Sequence, residues 1–132
     1  MIVRVLRVFG WLTGLLLIAI GICWMAFGAD SIPGGQPVNA TVDSELRACG
    51  AIMIGFGVSY LETFRRMPIP VSAVRLLAAT MTLVGVARLM SMADAGMPHP
   101  VFTGACAAEF AAAGLTYAYA ALAERAADSG TR

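Results

Sequence analysis

A single carboxylate, Glu109, interrupts the apolar run ACAAEFAAAG. Two arginines, Arg88 and Arg47, stand at the ends of other apolar runs and are the bases that could meet it. Arg88 and Glu109 flank a short joint, which makes their runs antiparallel neighbours and brings the two residues to a similar depth. Arg47 opens a further run at about that level. Three chemistries are open to such a group. A carboxylate facing a guanidinium forms an ion pair that fixes helix register. A carboxyl buried alone in a membrane is the usual ingredient of proton-coupled transport. A guanidinium fork also matches phosphate oxygens, so Arg47 and Arg88 could hold a lipid headgroup while Glu109 meets a partner chain or a headgroup. Each reading must offset the cost of a charge near a helix centre, about 2.5–3.5 kcal/mol on insertion scales.

Other chemistry has little material. The chain has one histidine, His99, in the turn-like MPHP, where a loop or cap role is expected. Cys23, Cys49 and Cys106 are widely spaced inside apolar runs and read as small packing residues, with no metal-ligand set and no CxxC. No nucleophile elbow, HExxH, phosphate loop or dinucleotide fingerprint occurs. No catalytic residue, metal or cofactor is therefore assigned, and an enzyme is not expected. Net charge is +1, without a basic patch interleaved with aromatics, so no nucleic-acid partner is expected.

The elements that must position Glu109 follow from composition. Of 132 residues, 59% are hydrophobic and only 13% charged, about half the usual charged share of a soluble domain. Mean hydropathy is +0.79. The chain reads as one transmembrane domain, residues 1–132, with membrane lipid as its surroundings. Crossing a hydrocarbon core takes about 20 helical residues. Four spans are expected, at about 8–27, 46–64, 71–90 and 100–123. The stretch ADSIPGGQPVNATVDSE reads as a loop, with Asp43 or Ser44 as cap of the second helix. The triplet NAT at Asn39 carries no assigned meaning. RRMPIP and MADAGMPHP form the other joints, and Pro100 suits a first helical turn. The first run is too long for a cleaved signal and reads as an uncleaved span.

Every basic residue is arginine. Placing the N-terminus inside collects Arg4, Arg7, Arg65, Arg66, Arg125 and Arg132 on the cytoplasmic side, with Arg75 just within the third helix. Both termini are then cytoplasmic, in the plasma (inner) membrane. Tyr60, Tyr117 and Tyr119 fall toward the inner interface.

Lipid is as apolar as leucine, so helices in it associate through small residues or hydrogen bonds. Gly10 and Gly14 form a GxxxG, and Gly14, Gly21 and Gly28 recur every seven residues. Gly50, Gly55 and Gly57 thin the second helix. Gly104, Ala108 and Ala112 recur every four in the fourth. These read as the contacts of a bundle, or as a face reserved for another protein. The fold class is all-α, an integral membrane antiparallel four-helix bundle.

The order ELRACGA, then VRLLAATMTLVGVARLMSMADAGMPHP, then ACAAEF resembles a bacterial family of short four-span membrane proteins, domain-of-unknown-function family 4345. The features that carry the resemblance are Glu45, Arg47, Gly50, Arg88, Gly96, Pro98 and Glu109. The resemblance implies a four-helix integral membrane protein and supplies no reaction or substrate. The expected role is an accessory or stabilising subunit within a larger envelope assembly such as a lipid-import complex. A small proton-coupled transporter acting as a homo-oligomer, and a lipid- or quinone-binding membrane protein, are the alternatives.

Overall fold

The uncharged run from Val8 to Phe27 lies within the first and most apolar helix, α1, Ile2–Phe27. The computed structural model describes residues 2–130, with side chains over residues 3–125; Arg132 lies outside the described residues. Gly28 ends α1 at φ +56, a conformation that suits glycine. A 3-10 turn follows over Gly28–Ser31, with the Ser31 hydroxyl donating to the Gly28 carbonyl at 2.7 Å. The next helices are α2, Ala40–Arg65, α3, Val71–Ala95, and α4, Pro100–Gly130. No strand occurs among the described residues, so the fold is all-α.

The start of α2 corrects the loop expected from the sequence. The helix begins at Ala40, several residues before the expected start, and Asn39 is its cap. The Asn39 side chain accepts from the Val42 amide at 3.0 Å. Neither Asp43 nor Ser44 caps the helix; both lie within it. The propriety of Pro100 for a first helical turn holds: α4 starts there. The α3 helix stops at Gly96, φ +89, whose amide donates to the Met92 carbonyl at 3.2 Å.

Three helical stretches are long and apolar enough to cross a membrane: Val3–Ser31, Val71–Ala95 and Pro100–Arg125. The α2 helix is not among them. Its charges at Asp43, Glu45, Arg47, Glu62 and Arg65 leave an uncharged stretch from Ala48 to Leu61, shorter than the roughly 20 residues of a full crossing. Large aliphatic side chains such as Leu12, Leu16, Leu76 and Leu83 are exposed, an arrangement suited to lipid rather than water.

Two compact units make up the chain, Met1–Met67 and Pro68–Arg132. The first is an antiparallel hairpin of α1 and α2 around the 3-10 turn. Its seam is built from backbone. A Cβ added to Gly14 would lie 2.9 Å from the Gly57 carbonyl oxygen, and one on Gly57 would lie 2.6 Å from that of Gly14. Gly21 and Gly50 repeat the relation at 2.6 and 2.8 Å. One further step along each helix, a Cβ on Gly28 would overlap the Asp43 carboxylate. Each advance of seven residues on α1 is thus matched by a retreat of seven on α2. A strict seven-residue repeat keeps the contact face aligned in a left-handed supercoil, and small residues let the backbones approach. At the far end the Phe64 ring covers Gly10. Phe64 continues a ladder with Tyr60 and Phe56, at centroid spacings of 5.9 and 5.3 Å. Tyr60 is buried in that ladder.

The second unit is the antiparallel hairpin of α3 and α4. Val74, Leu77, Ala78, Met81 and Gly85 form the buried stripe of α3 at helical spacing. On α4 the buried residues are Cys106, Ala112, Ala113, Thr116 and Ala120. Here a large side chain fits against a small one: the Phe110 ring lies 2.8 Å from where a Cβ on Gly85 would be. The buried Thr116 hydroxyl donates to the Ala112 carbonyl of its own helix at 2.6 Å, which satisfies it without a partner helix.

Candidate functional site

The helical phase of α3 and α4 turns Arg88 and Glu109 toward each other within the second hairpin. The Arg88 Nε donates to both carboxylate oxygens of Glu109, at 2.9 and 3.0 Å. The Glu109 side chain is 14% exposed and that of Arg88 27%, so the pair is largely removed from its surroundings. The guanidinium carbon lies 5.5 Å from the centroid of the Phe102 ring, a cation–π distance. Arg88, Ser91, Met92, Pro98 and Phe102 line a shallow recess beside it.

A second cross-helix pair brackets this hairpin. The Arg75 Nη2 donates to Glu124 at 2.6 Å, with both side chains about half exposed. Thirteen residues of α3 separate Arg75 from Arg88, about 20 Å along the axis. The interval between the pairs holds Gly85 and Phe110, and the thiol of Cys106, one turn before Glu109, lies 3.7 Å from the Gly85 carbonyl oxygen. The two ion pairs fix the register of α3 on α4 at two levels, and the apolar contacts fill the length between them. Arg75–Glu124 was not anticipated. The signal for it was an acid in the last turns of α4, opposite an arginine in the first turns of α3.

Arg47 is the second base that the sequence offers to Glu109. It is instead engaged in the first hairpin. Its Nε donates to Asp43 at 2.7 Å, and its Nη1 donates to the carbonyls of Met25 and Ala26 at 2.7 and 3.2 Å. Those carbonyls belong to the last turn of α1, where a cation also complements the helix dipole. Asp43 accepts from the Ala29 amide as well, at 3.3 Å. The Arg47 guanidinium beside Asp43, aided by the Ala29 amide, holds this carboxyl below its ordinary value of 3.8. Asp43, Arg47 and Gly28 together clamp the turn at the end of α1. The physical reason for the departure is reach: a guanidinium four residues from an acid on one helix finds it without crossing to another element.

The opposite end of this hairpin holds a reciprocal contact. The Arg7 Nη2 donates to the Arg66 carbonyl at 3.4 Å, at the C-terminus of α2. Each helix of the hairpin therefore presents an arginine to the closing carbonyls of the other. Glu62 is gripped by Arg65 and by Arg66, the latter at 2.9 Å.

The small residues divide into two groups. Gly10, Gly14, Gly21, Gly50 and Gly57 lie in the first seam, and Ala112 is buried. Gly55, Gly104 and Ala108 lie outside the contacts within their hairpins: all three are exposed, and nothing lies within 4 Å of a Cβ on either glycine. A spacing of four residues defines a helix face but not the direction in which that face points. His99 takes a cap role, its carbonyl accepting from the Phe102 amide at 2.8 Å. Of the cysteines only Cys106 is buried; Cys23 and Cys49 are exposed.

No curated protein and no solved structure shows a match to the chain. The family model described as "Domain of unknown function (DUF4345)" matches residues 5–120. That match spans α2, α3 and most of α1 and α4, with Arg47, Arg88 and Glu109 inside it, and the chain belongs to this family.

Proposed function

We propose that the protein is a non-enzymatic integral membrane subunit that packs against a larger assembly of the cell envelope, such as a lipid-import complex, and stabilises it. The observation that carries this reading is the face of α4 turned away from α3. Gly104, Ala108 and Gly114 are exposed there, with open space around both glycines. On α1 and α2, by contrast, Gly14, Gly21, Gly50 and Gly57 are consumed in backbone contacts. Small residues facing lipid gain little from it, yet they admit a second helix closely. That helix belongs to a larger membrane complex or to another copy of this chain.

In this reading α2 also crosses the membrane. From Arg47 to Phe64 it lies along α1 from Met25 to Gly10, and a helix in such contact shares the depth of its neighbour. Arg4, Arg7, Arg65, Arg66 and Arg75 then mark the cytoplasmic side of the inner membrane. With both of its oxygens engaged by Arg88, Glu109 acts as a register lock rather than as a proton carrier.

Affinity purification at native expression in mild detergent tests the role. Stoichiometric recovery of a membrane assembly is the expected outcome. Recovery of the monomeric chain alone contradicts it.

A further inference from the structure

The end of the first hairpin that carries the N-terminus of α1 has four arginines, Arg4, Arg7, Arg65 and Arg66, and one carboxylate, Glu62. Glu62 is already shared by Arg65 and Arg66. Arg4 and Arg7 therefore have no carboxylate partner among the described residues. Arg7 reaches only a backbone carbonyl, and its Nε is buried without a hydrogen-bond partner among the described residues. Arg4 is exposed. Immediately beside it, a shallow open groove runs along α1, lined by Arg4, Val5, Val8, Phe9 and Leu12. The groove is apolar, with the aliphatic stem of Arg4 at its end, and covers about 12 Å of helix.

We propose that this groove binds one anionic phospholipid, with its phosphate on Arg4 and an acyl chain along Val5, Val8, Phe9 and Leu12. Two features combine to select this ligand. The uncompensated positive charge favours a headgroup with net negative charge over a zwitterionic one. The apolar groove leading away from that charge along the helix fits an acyl chain and offers nothing to a free phosphate. The site shares no residue with the Arg88–Glu109 pair, and it stands whether or not the chain has a protein partner.

Native mass spectrometry of the full chain in detergent tests this directly. The protein is titrated with dioleoyl phosphatidylglycerol, with dioleoyl phosphatidylcholine, and with glycerophosphate as a headgroup without chains. Retention of phosphatidylglycerol well above phosphatidylcholine is expected. Arg4→Gln should lower that retention about fivefold, as one surface arginine contributes. Arg4 is exposed, so this change leaves the fold intact. Val8→Trp, also at an exposed position, should fill the groove and lower retention several-fold. Equal retention of the two lipids, an unchanged R4Q titration, or displacement of the lipid by glycerophosphate at equal concentration would each overturn the proposal.

Discussion

Gly14 and Gly57 face each other so closely that a methyl group on either would meet the backbone oxygen of the other, at 2.9 and 2.6 Å. A backbone atom cannot rotate aside as a side chain can. The α1–α2 hairpin therefore depends on the absence of side chains at these two positions and at the equivalent pair, Gly21 and Gly50.

The seam should answer to substitution by position rather than by residue type. Gly57→Ala should force the helices apart and lower stability by about 1–3 kcal/mol, the usual cost of overpacking. Gly55→Ala, two residues away on the exposed face, should be neutral or gain up to about 1 kcal/mol from helix propensity. Reversible unfolding in mixed detergent micelles compares the two. Equal losses would mean that the seam is not where Gly14 and Gly57 place it.

The Arg88–Glu109 pair should behave as a coupled unit. Glu109→Gln removes the charge that Arg88 faces and should cost about 1–3 kcal/mol, the range for hydrogen bonds to charged groups. Adding Arg88→Gln should recover part of that loss, because no charge is then left stranded. The same unfolding assay, run as a double-mutant cycle, reads the coupling. Fully additive losses would separate the two residues.

The clamp at the end of α1 should be sensitive to acid. Asp43 titrates below its ordinary value of 3.8 because Arg47 and the Ala29 amide favour its charged form. A carboxylate depressed in the folded state contributes stability that is fully present above its unfolded pKa, and that is lost as pH falls through the folded one. The protection of residues 28–39 against hydrogen exchange, relative to the intrinsic rate at each pH, should therefore be flat from neutrality to about pH 4 and should fall below it. Asp43→Asn should show the lower protection already at neutral pH. Acid sensitivity that survives in the variant would assign the effect to another group.

Much of this was legible in the chain, and the misreadings have physical causes. Hydropathy located α1, α3 and α4, because the demand for apolar length leaves a long unbroken signature. The seven-residue spacing of Gly14, Gly21 and Gly28 pointed to a contact face. It did not reveal that Asp43, Gly50, Gly57 and Phe64 keep the same spacing on α2, since the members differ in type. Gly104 and Ala108 share a spacing with the buried Ala112 yet face outward, because periodicity carries no sign. Arg88 was matched to Glu109 by depth alone, and depth sufficed because the joint between their helices is short. Depth failed for Arg47, where Asp43 stands one helical turn away. Asn39 was passed over as a cap because Asp43 and Ser44, equally suitable by type, lie nearer the apolar run.

The crossing of α2 is decided by where the chain ends lie. With α2 carried through the bilayer by its glycine seam against α1, the helices cross four times and both termini share one side. With only the three apolar helices crossing, the termini lie on opposite sides. Small epitope tags at each end, probed with protease in intact spheroplasts and again after lysis, measure this. Protection of both tags until lysis is the predicted result. Cleavage of one tag alone in intact spheroplasts would contradict it.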